Sequence, residues 1–202
     1  QRFQERGAHL ALAGQYDLAS FSDRLDELDL CPQLVGEPAC ERYRRWAFES
    51  AALDLALRQA GLSLEATLGR ELVAPRFVLS LGLRSPEPMQ QRLTLDPTAR
   101  FKLDATPDWS AELCADLAAT HAVEVLDFKG AYEGTAVDTE PDLALYERVL
   151  EAFGPERILE DPHHTPQILA LLREREARVS WDAPIHSLAD VDAMPLAPSW
   201  LN

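Results

Sequence analysis

From Pro75 onward the chain alternates short apolar runs with amphipathic stretches. Phe77-Val78-Leu79-Ser80-Leu81 reads as a first strand and Arg100-Phe101-Lys102-Leu103-Asp104 as a second, each too short and too apolar for a surface helix. A helix from about Ser110 follows, with Leu113 and Leu117 facing inward. Three further runs close on acids: Val123-Glu124-Val125-Leu126-Asp127, then Arg157-Ile158-Leu159-Glu160-Asp161-Pro162, then Arg178-Val179-Ser180-Trp181-Asp182-Ala183-Pro184. The stretch near Asp142 to Phe153 carries Leu143, Tyr146, Leu150 and Phe153 at helical spacing. Thr165 is a predicted N-cap ahead of Pro166, with Ile168, Leu171 and Leu172 as the buried stripe. Ser187 and Asp190 fit a capping box in which aspartate replaces the usual Glu or Gln. Five β/α units and the start of a sixth result.

Before Pro75 the period is helical. Trp46 to Gly61 places Phe48, Ala52, Leu55 and Ala56 on one side, and Gly61 can end that helix in the left-handed conformation. The change of period divides the chain into 1–74, mostly helical, and 75–202, an α/β region of strand and helix repeats. Repeated β/α units build either a closed barrel or an open doubly wound sheet. Neither GxGxxG nor GxxxxGK[ST] occurs, which removes the main sequence support for a nucleotide-binding sheet. Functional side chains at the carboxyl ends of consecutive strands are instead what a barrel uses to assemble one site from several loops.

That placement gives the chain its chemistry. Asp127, Glu160 and Asp182 are predicted to emerge at one end of one parallel sheet, where three carboxylates make a site for a divalent cation. Mg²⁺ prefers carboxylate oxygens and keeps positions for water and substrate, which three single acids allow.

Composition narrows the partners. The chain has 202 residues and 47% apolar content, enough to bury a sizeable core. A net charge of -15 argues against nucleic acid, because the 19 Lys and Arg form no basic face. The nearest cluster, Arg42-Tyr43-Arg44-Arg45, reads as a solvated helix start. No stretch reaches transmembrane length and Gln1 to Arg6 do not form a signal peptide. Cys31, Cys40 and Cys114 are an odd set without a CxxC pair, read as three partly buried thiols with no disulfide frame and a cytoplasmic location. The chain starts without Met and stops at Ser199-Trp200-Leu201-Asn202 in what reads as another strand, so a piece of a longer protein is expected.

Arg45-Trp46-Ala47-Phe48-Glu49-Ser50-Ala51-Ala52-Leu53-Asp54-Leu55-Ala56-Leu57 with Leu68-Gly69, then Phe101-Lys102-Leu103, Leu126-Asp127-Phe128-Lys129-Gly130, Leu159-Glu160-Asp161-Pro162 and Asp182-Ala183-Pro184-Ile185 resemble, in that order, the enolase superfamily. The branch most similar contains muconate lactonizing enzyme and o-succinylbenzoate synthase, within the mandelate racemase and muconate lactonizing enzyme family. The resemblance implies a modified (β/α)8 TIM-type barrel, present here through about its sixth strand, with part of an N-terminal α+β capping domain over residues 1–74. It implies Mg²⁺ held by Asp127, Glu160 and Asp182, and abstraction of the proton beside the carboxylate of a small-molecule substrate. Elimination or cycloisomerisation is the expected outcome, and a homo-oligomer stays open.

Two positions depart from that pattern. The second strand of the branch usually carries Lys-x-Lys, with both side chains on one face and the second Lys as base, whereas this chain has Lys102-Leu103-Asp104. The third strand commonly has Asp-x-Asn; here Asp127-Phe128-Lys129 puts a Lys in place of the Asn. Asp104 and Lys129 would face inward from adjacent strands and can pair. In one reading Lys129 or Lys102 is the base. In the other the pair is structural, and the protein is a divergent barrel that keeps its metal acids for ligand binding or structure without enolisation. A Lys on the sixth strand beyond Asn202 would restore an opposed base. His163-His164 is expected as a solvent-exposed pair, Asp161 as a loop-orienting residue, and His9, Gly14 and Tyr16 as part of a segment that sets specificity.

Overall fold

The computed structural model describes residues 10–31, 38–83, 85–132, 134–135 and 137–201. They fall into two compact units, Gln1–Ala74 and Pro75–Asn202.

The first unit is helical. Helix α1 (Leu18–Asp26) is started by Asp17, whose carboxylate accepts the Ser20 N–H at 2.8 Å while the Ser20 hydroxyl accepts the Asp17 N–H at 3.1 Å. Helix α2 (Pro38–Ala60) begins eight residues before the sequence pattern does, with proline at its first position and Glu41 in its first turn. Arg44 and Arg45 therefore lie inside a helix and are half-buried, which corrects their reading as a solvated start. Arg44 donates to the Leu30 carbonyl at 2.5 Å, and Arg45 pairs with Asp26 of α1 and with Glu49. Phe48 and Ala52 are half-buried as expected, but Leu55 and Ala56 are exposed; Leu53 and Leu57 take their places. Gly61 (φ +65°) ends α2, and a short α3 (Leu64–Leu68) follows.

The second unit is a six-stranded sheet with all pairings parallel and strands in sequential order. Its elements are β1 (Leu79–Gly82), α4 (Glu87–Leu95), β2 (Phe101–Asp104), α5 (Ala111–Ala119), β3 (Val123–Asp127), α6 (Leu143–Phe153), β4 (Ile158–Glu160), α7 (Pro166–Glu174), β5 (Arg178–Trp181), α8 (Leu188–Ala193) and β6 (Trp200–Leu201). A doubly wound sheet reverses its strand order at a switch point, and this sheet does not. Strand β1 starts two residues later than its apolar run, leaving Phe77 83% exposed. The helix starts follow the sequence signals: Ser110, Asp142 and Thr165 each accept a first-turn N–H, and Ser187 with Asp190 closes the capping box. Among the described residues no helix is long and apolar enough to cross a membrane.

Register gives the sheet two unlike faces. Leu81, Leu103, Leu126, Leu159 and Val179 pair across the strands as one row. The last four are buried in one cluster with Leu117, Tyr146, Ile168 and Leu172 of the crossover helices. One residue further along, Gly82, Asp104, Asp127, Glu160 and Ser180 form the next row, whose side chains project from the other face. A bulge makes these rows coincide. Phe101 pairs with Val123 but Lys102 with Val125, so Glu124 is the extra residue and pairs outward with Arg100 at 3.3 Å. Because of it Val123 joins the helix-side cluster while Val125 leaves it, and Asp127 comes level with Asp104. Trp109 and Trp181 are fully buried in this core, their indole N–H groups donating at 3.0 Å to the Leu83 and Leu196 carbonyls.

If the helix-side row carries the stability of this unit, Leu126→Ala will lower the unfolding free energy by about 2–5 kcal/mol. Leu95→Ala, at a residue 81% exposed, will change it by less than about 0.5 kcal/mol. Urea titration of the two variants measures both.

Candidate metal centre

Strand pairing brings Asp104, Asp127 and Glu160 side by side at the carboxyl ends of β2, β3 and β4. Asp127 and Glu160 are fully buried, while the Asp104 side chain is 37% exposed. Lys102 lies two residues before Asp104 on the same face and extends along it, its ammonium 3.0 Å from Asp127 Oδ2 and hydrogen-bonded to Glu160 Oε1. Lys129 leaves the end of β3 with φ +57°; its backbone N–H donates to Asp127 Oδ1 at 3.2 Å, and its ammonium bonds Asp127 Oδ2 and lies 3.5 Å from Asp104 Oδ1. The predicted Asp104–Lys129 pair is therefore present, and Asp127 is shared by two ammonium groups. Burial disfavours charge on both lysines, but the hydrogen bonds and charges of Glu160 and Asp127 on Lys102, and of Asp127 and Asp104 on Lys129, outweigh it and hold both pKa values above the ordinary lysine range.

Asp161 ties the loops together. It too has a left-handed backbone (φ +45°), so its carboxylate turns toward β5, where Oδ1 accepts the Asp182 N–H at 2.8 Å and Oδ2 the Ala183 N–H at 3.1 Å. Its own N–H donates to the Ser180 carbonyl at 3.0 Å, and its carbonyl accepts from Gly130 at 2.8 Å. This matches its expected role in orienting the loop. Burial pushes its carboxyl pKa up, the two backbone N–H groups opposing the shift.

Among the described residues, one set of acids has oxygens close enough to share an ion: Asp127, Glu160 and Asp161, with one oxygen of each within 4.8 Å of the others. Asp182 is not in that set; it is exposed, though its charge acts on Asp161 and on Tyr132. The donor set suits a hard cation in three respects. All donors are carboxylate oxygens, the two lysines pair with only three acids and leave Asp161 to backbone N–H groups, and Ser180 Oγ, on the same row as Glu160, is buried with no hydrogen-bond partner. Sequence reasoning passed over Ser180, although its place two residues before Asp182 on one strand face was readable.

His163 overturns the expectation of a solvent-exposed pair, being 6% exposed. The Tyr146 hydroxyl accepts the His163 backbone N–H and lies 2.9 Å from Nδ1, and Nε2 lies 2.6 Å from the Thr139 carbonyl. A proton on Nε2, with the phenol donating to Nδ1, satisfies every partner. Gly130 makes room for this: a Cβ there would collide with the His163 backbone nitrogen. His164 is exposed and rests edge-on against Trp181, with ring centroids 4.9 Å apart. Gly14 and Tyr16 belong to the first unit, and His9 lies outside the described residues.

The family model for the Domain of unknown function (DUF8230) C-terminal domain matches residues 71–202, and that for the DUF8230 N-terminal domain matches residues 1–67. The chain belongs to the DUF8230 family. No curated protein matches it in sequence. Among solved structures, a protein described as a mandelate racemase/muconate lactonizing enzyme from Roseovarius nubinhibens ISM, complexed with magnesium, matches at TM-score 0.56 and 20% identity over 88% of this chain and 47% of that one. A muconate cycloisomerase from Azorhizobium caulinodans matches at TM-score 0.55 and 17% identity over 87% of this chain and 48% of its own. The likeness is one of fold, and this DUF8230 chain spans about half the length of each.

The buried phenol supports the loop that follows Glu160. Tyr146→Phe should leave the His163 N–H and Nδ1 without a partner and cost about 1–3 kcal/mol in unfolding free energy, measured by denaturant titration. An unchanged midpoint would show that the hydroxyl is dispensable.

Proposed function

We propose that this DUF8230 chain is part of a Mg²⁺-dependent enzyme of the enolase superfamily, in the muconate lactonizing and o-succinylbenzoate synthase branch. It acts on a small carboxylate substrate by removing the proton beside the carboxylate, with elimination or cycloisomerisation as the outcome. The observation that carries this reading is the row Asp104, Asp127 and Glu160 with two lysines converging on it. The sequential parallel sheet and the fold shared with two such proteins support closure into a (β/α)8 barrel, with residues 1–74 belonging to a capping domain.

Asp127 and Glu160 are the two ligands fixed by strand register. Asp182 completes the set in the manner of the branch, and Asp161 holds the backbone of Asp182 and Ala183 through its two oxygens. When bound, Mg²⁺ supplies the positive charge that stabilises charge developing on the substrate carboxylate. Lys129 is the group placed to take the proton. Lys102 is clamped between two buried carboxylates, whereas the second contact of Lys129 is a 3.5 Å approach to the partly exposed Asp104, so Lys129 is freer to leave. A base must be neutral, and these lysines are held charged by the acids that would turn to the cation; ion binding and deprotonation of Lys129 are therefore coupled. Lys102 is the runner-up base, and Asp104 positions the ammonium of Lys129.

A second reading has a specific observation behind it: both ammonium groups are already engaged by the acids, as in a closed structural ion cluster without turnover. Two variants separate the readings. Asp127→Asn should abolish Mg²⁺ binding by calorimetry. Lys129→Ala should keep or strengthen Mg²⁺ binding, because an ammonium no longer competes for Asp127, and should abolish exchange of the substrate α-hydrogen in heavy water across a panel of carboxylates. A purely structural pair predicts instead no exchange in the parent protein and a loss of about 1–3 kcal/mol of stability in the variant.

With no Lys at position 104, proton delivery from two opposed faces is incomplete. Solvent deuterium should therefore enter the α-position with retained configuration, followed by chiral chromatography of recovered substrate. Full racemisation would contradict the assignment.

A further inference from the structure

We propose that Cys31 and Cys40 form a reversible intramolecular disulfide joining the segment after α1 to the first turn of α2, a modification site independent of the acidic row. Their sulfurs lie 2.8 Å apart, inside the contact distance of two non-bonded sulfurs and about 0.8 Å beyond a covalent S–S bond. The approach is built by neighbours on both sides. Asp29 Oδ1 accepts the Cys31 N–H at 3.0 Å, Arg44 of α2 donates to the Leu30 carbonyl at 2.5 Å, and Leu25 and Leu30 are buried beside it. The next residue, Arg45, bonds Asp26. Residues 29–31 and the start of α2 are thus held together by bonds that do not involve sulfur, and closing the bridge requires little movement.

The two thiols differ in a way that sets the order of attack. Cys31 is buried, and that burial, with Cys40 beside it, pushes its pKa up to about 11, so it is seldom a thiolate. Cys40 is more open and sits in the first turn of a 23-residue helix, where an incoming disulfide can reach it. With a small-molecule disulfide such as oxidised glutathione as oxidant, the Cys40 thiolate attacks one glutathione sulfur and releases one glutathione thiolate. Cys31 then loses its proton, attacks Cys40 Sγ in the mixed disulfide and releases the second. Two S–H bonds are lost from the protein, one S–S bond forms, and the two electrons reduce the oxidant to two thiols. Cys114, buried in the core of the other unit, takes no part and serves as an internal reference.

The test uses the whole chain, equilibrated across ratios of reduced to oxidised glutathione, quenched in acid, denatured, alkylated with a maleimide and weighed intact. The expected product has lost two hydrogens and keeps one alkylatable thiol. Its melting temperature should exceed that of the reduced chain by a few degrees, on the order of 5 °C. Cys31→Ser should trap Cys40 as a stable glutathione adduct, and Cys40→Ser should acquire its adduct at least about tenfold more slowly. Three alkylatable thiols at every ratio, adducts on both residues of the parent without loss of two hydrogens, or a bridge only between two chains would each overturn the proposal.

Discussion

Three acids on three neighbouring parallel strands at one level are a constraint that the rest of the second unit has to meet. Strand spacing near 4.8 Å sets Asp104, Asp127 and Glu160 at a repulsion of about 3.5 kcal/mol per adjacent pair at an effective dielectric constant of 20. Cations must reach this row, and both come from the same short strands: Lys102 from below the row and Lys129 from just above it, meeting at Asp127. The left-handed backbone at Lys129 is what lets a residue beyond the strand end fold back onto it.

The same constraint explains why one face of the sheet is so uniformly apolar. A strand that offers a buried carboxylate on one side must recover its stability on the other. There Leu103, Leu126, Leu159 and Val179 meet helix residues in a continuous core. The Glu124 bulge is the hinge of the arrangement: with plain alternation Val123 and Asp127 would share a face, and the chain would have to give up either a core position or the acid's level. Asp161 plays the corresponding part at β4. By holding the backbone of Asp182 and Ala183, it passes the position of β4 on to the loop after β5.

Much of this was legible in the sequence, and the reasons are local. Strand ends and caps are signalled within a few residues, so the β/α alternation and the starts at Ser110, Asp142, Thr165 and Ser187 emerge from pattern alone, as does the inward pairing of Asp104 with Lys129. Features that depend on partners distant in sequence were not legible. Neither the extra residue at Glu124 nor the burial of His163 can be read without knowing that Arg100 and Tyr146 lie beside them. The inward face of α2 was misplaced at Leu55 and Ala56 because a stripe of alanines and leucines has no sharp edge, and the arginines that anchor the helix look like a solvated cluster until Leu30 and Asp26 are placed beside them.

Against the Lys-x-Lys and Asp-x-Asn pattern that the sequence resembles, Asp104 and Lys129 are best understood together. Each alone would be costly: an aspartate at 104 adds a charge to a row already short of cations, and a lysine at 129 adds one beside Lys102. Together they leave the number of ammonium groups at the row unchanged and move one of them a strand along. What changes is direction and tether. The ammonium now approaches from a loop residue held at φ +57° and not from within a strand, with Tyr132 5.4 Å from it on the outer side. Under the proposed function, a base delivered from a loop would meet the substrate from a different side than one fixed in the sheet, so the same acids could serve a differently oriented α-hydrogen. On that reading the position of Lys129, and not the identity of the acids, is what would set the geometry of proton removal apart from the pattern the sequence resembles.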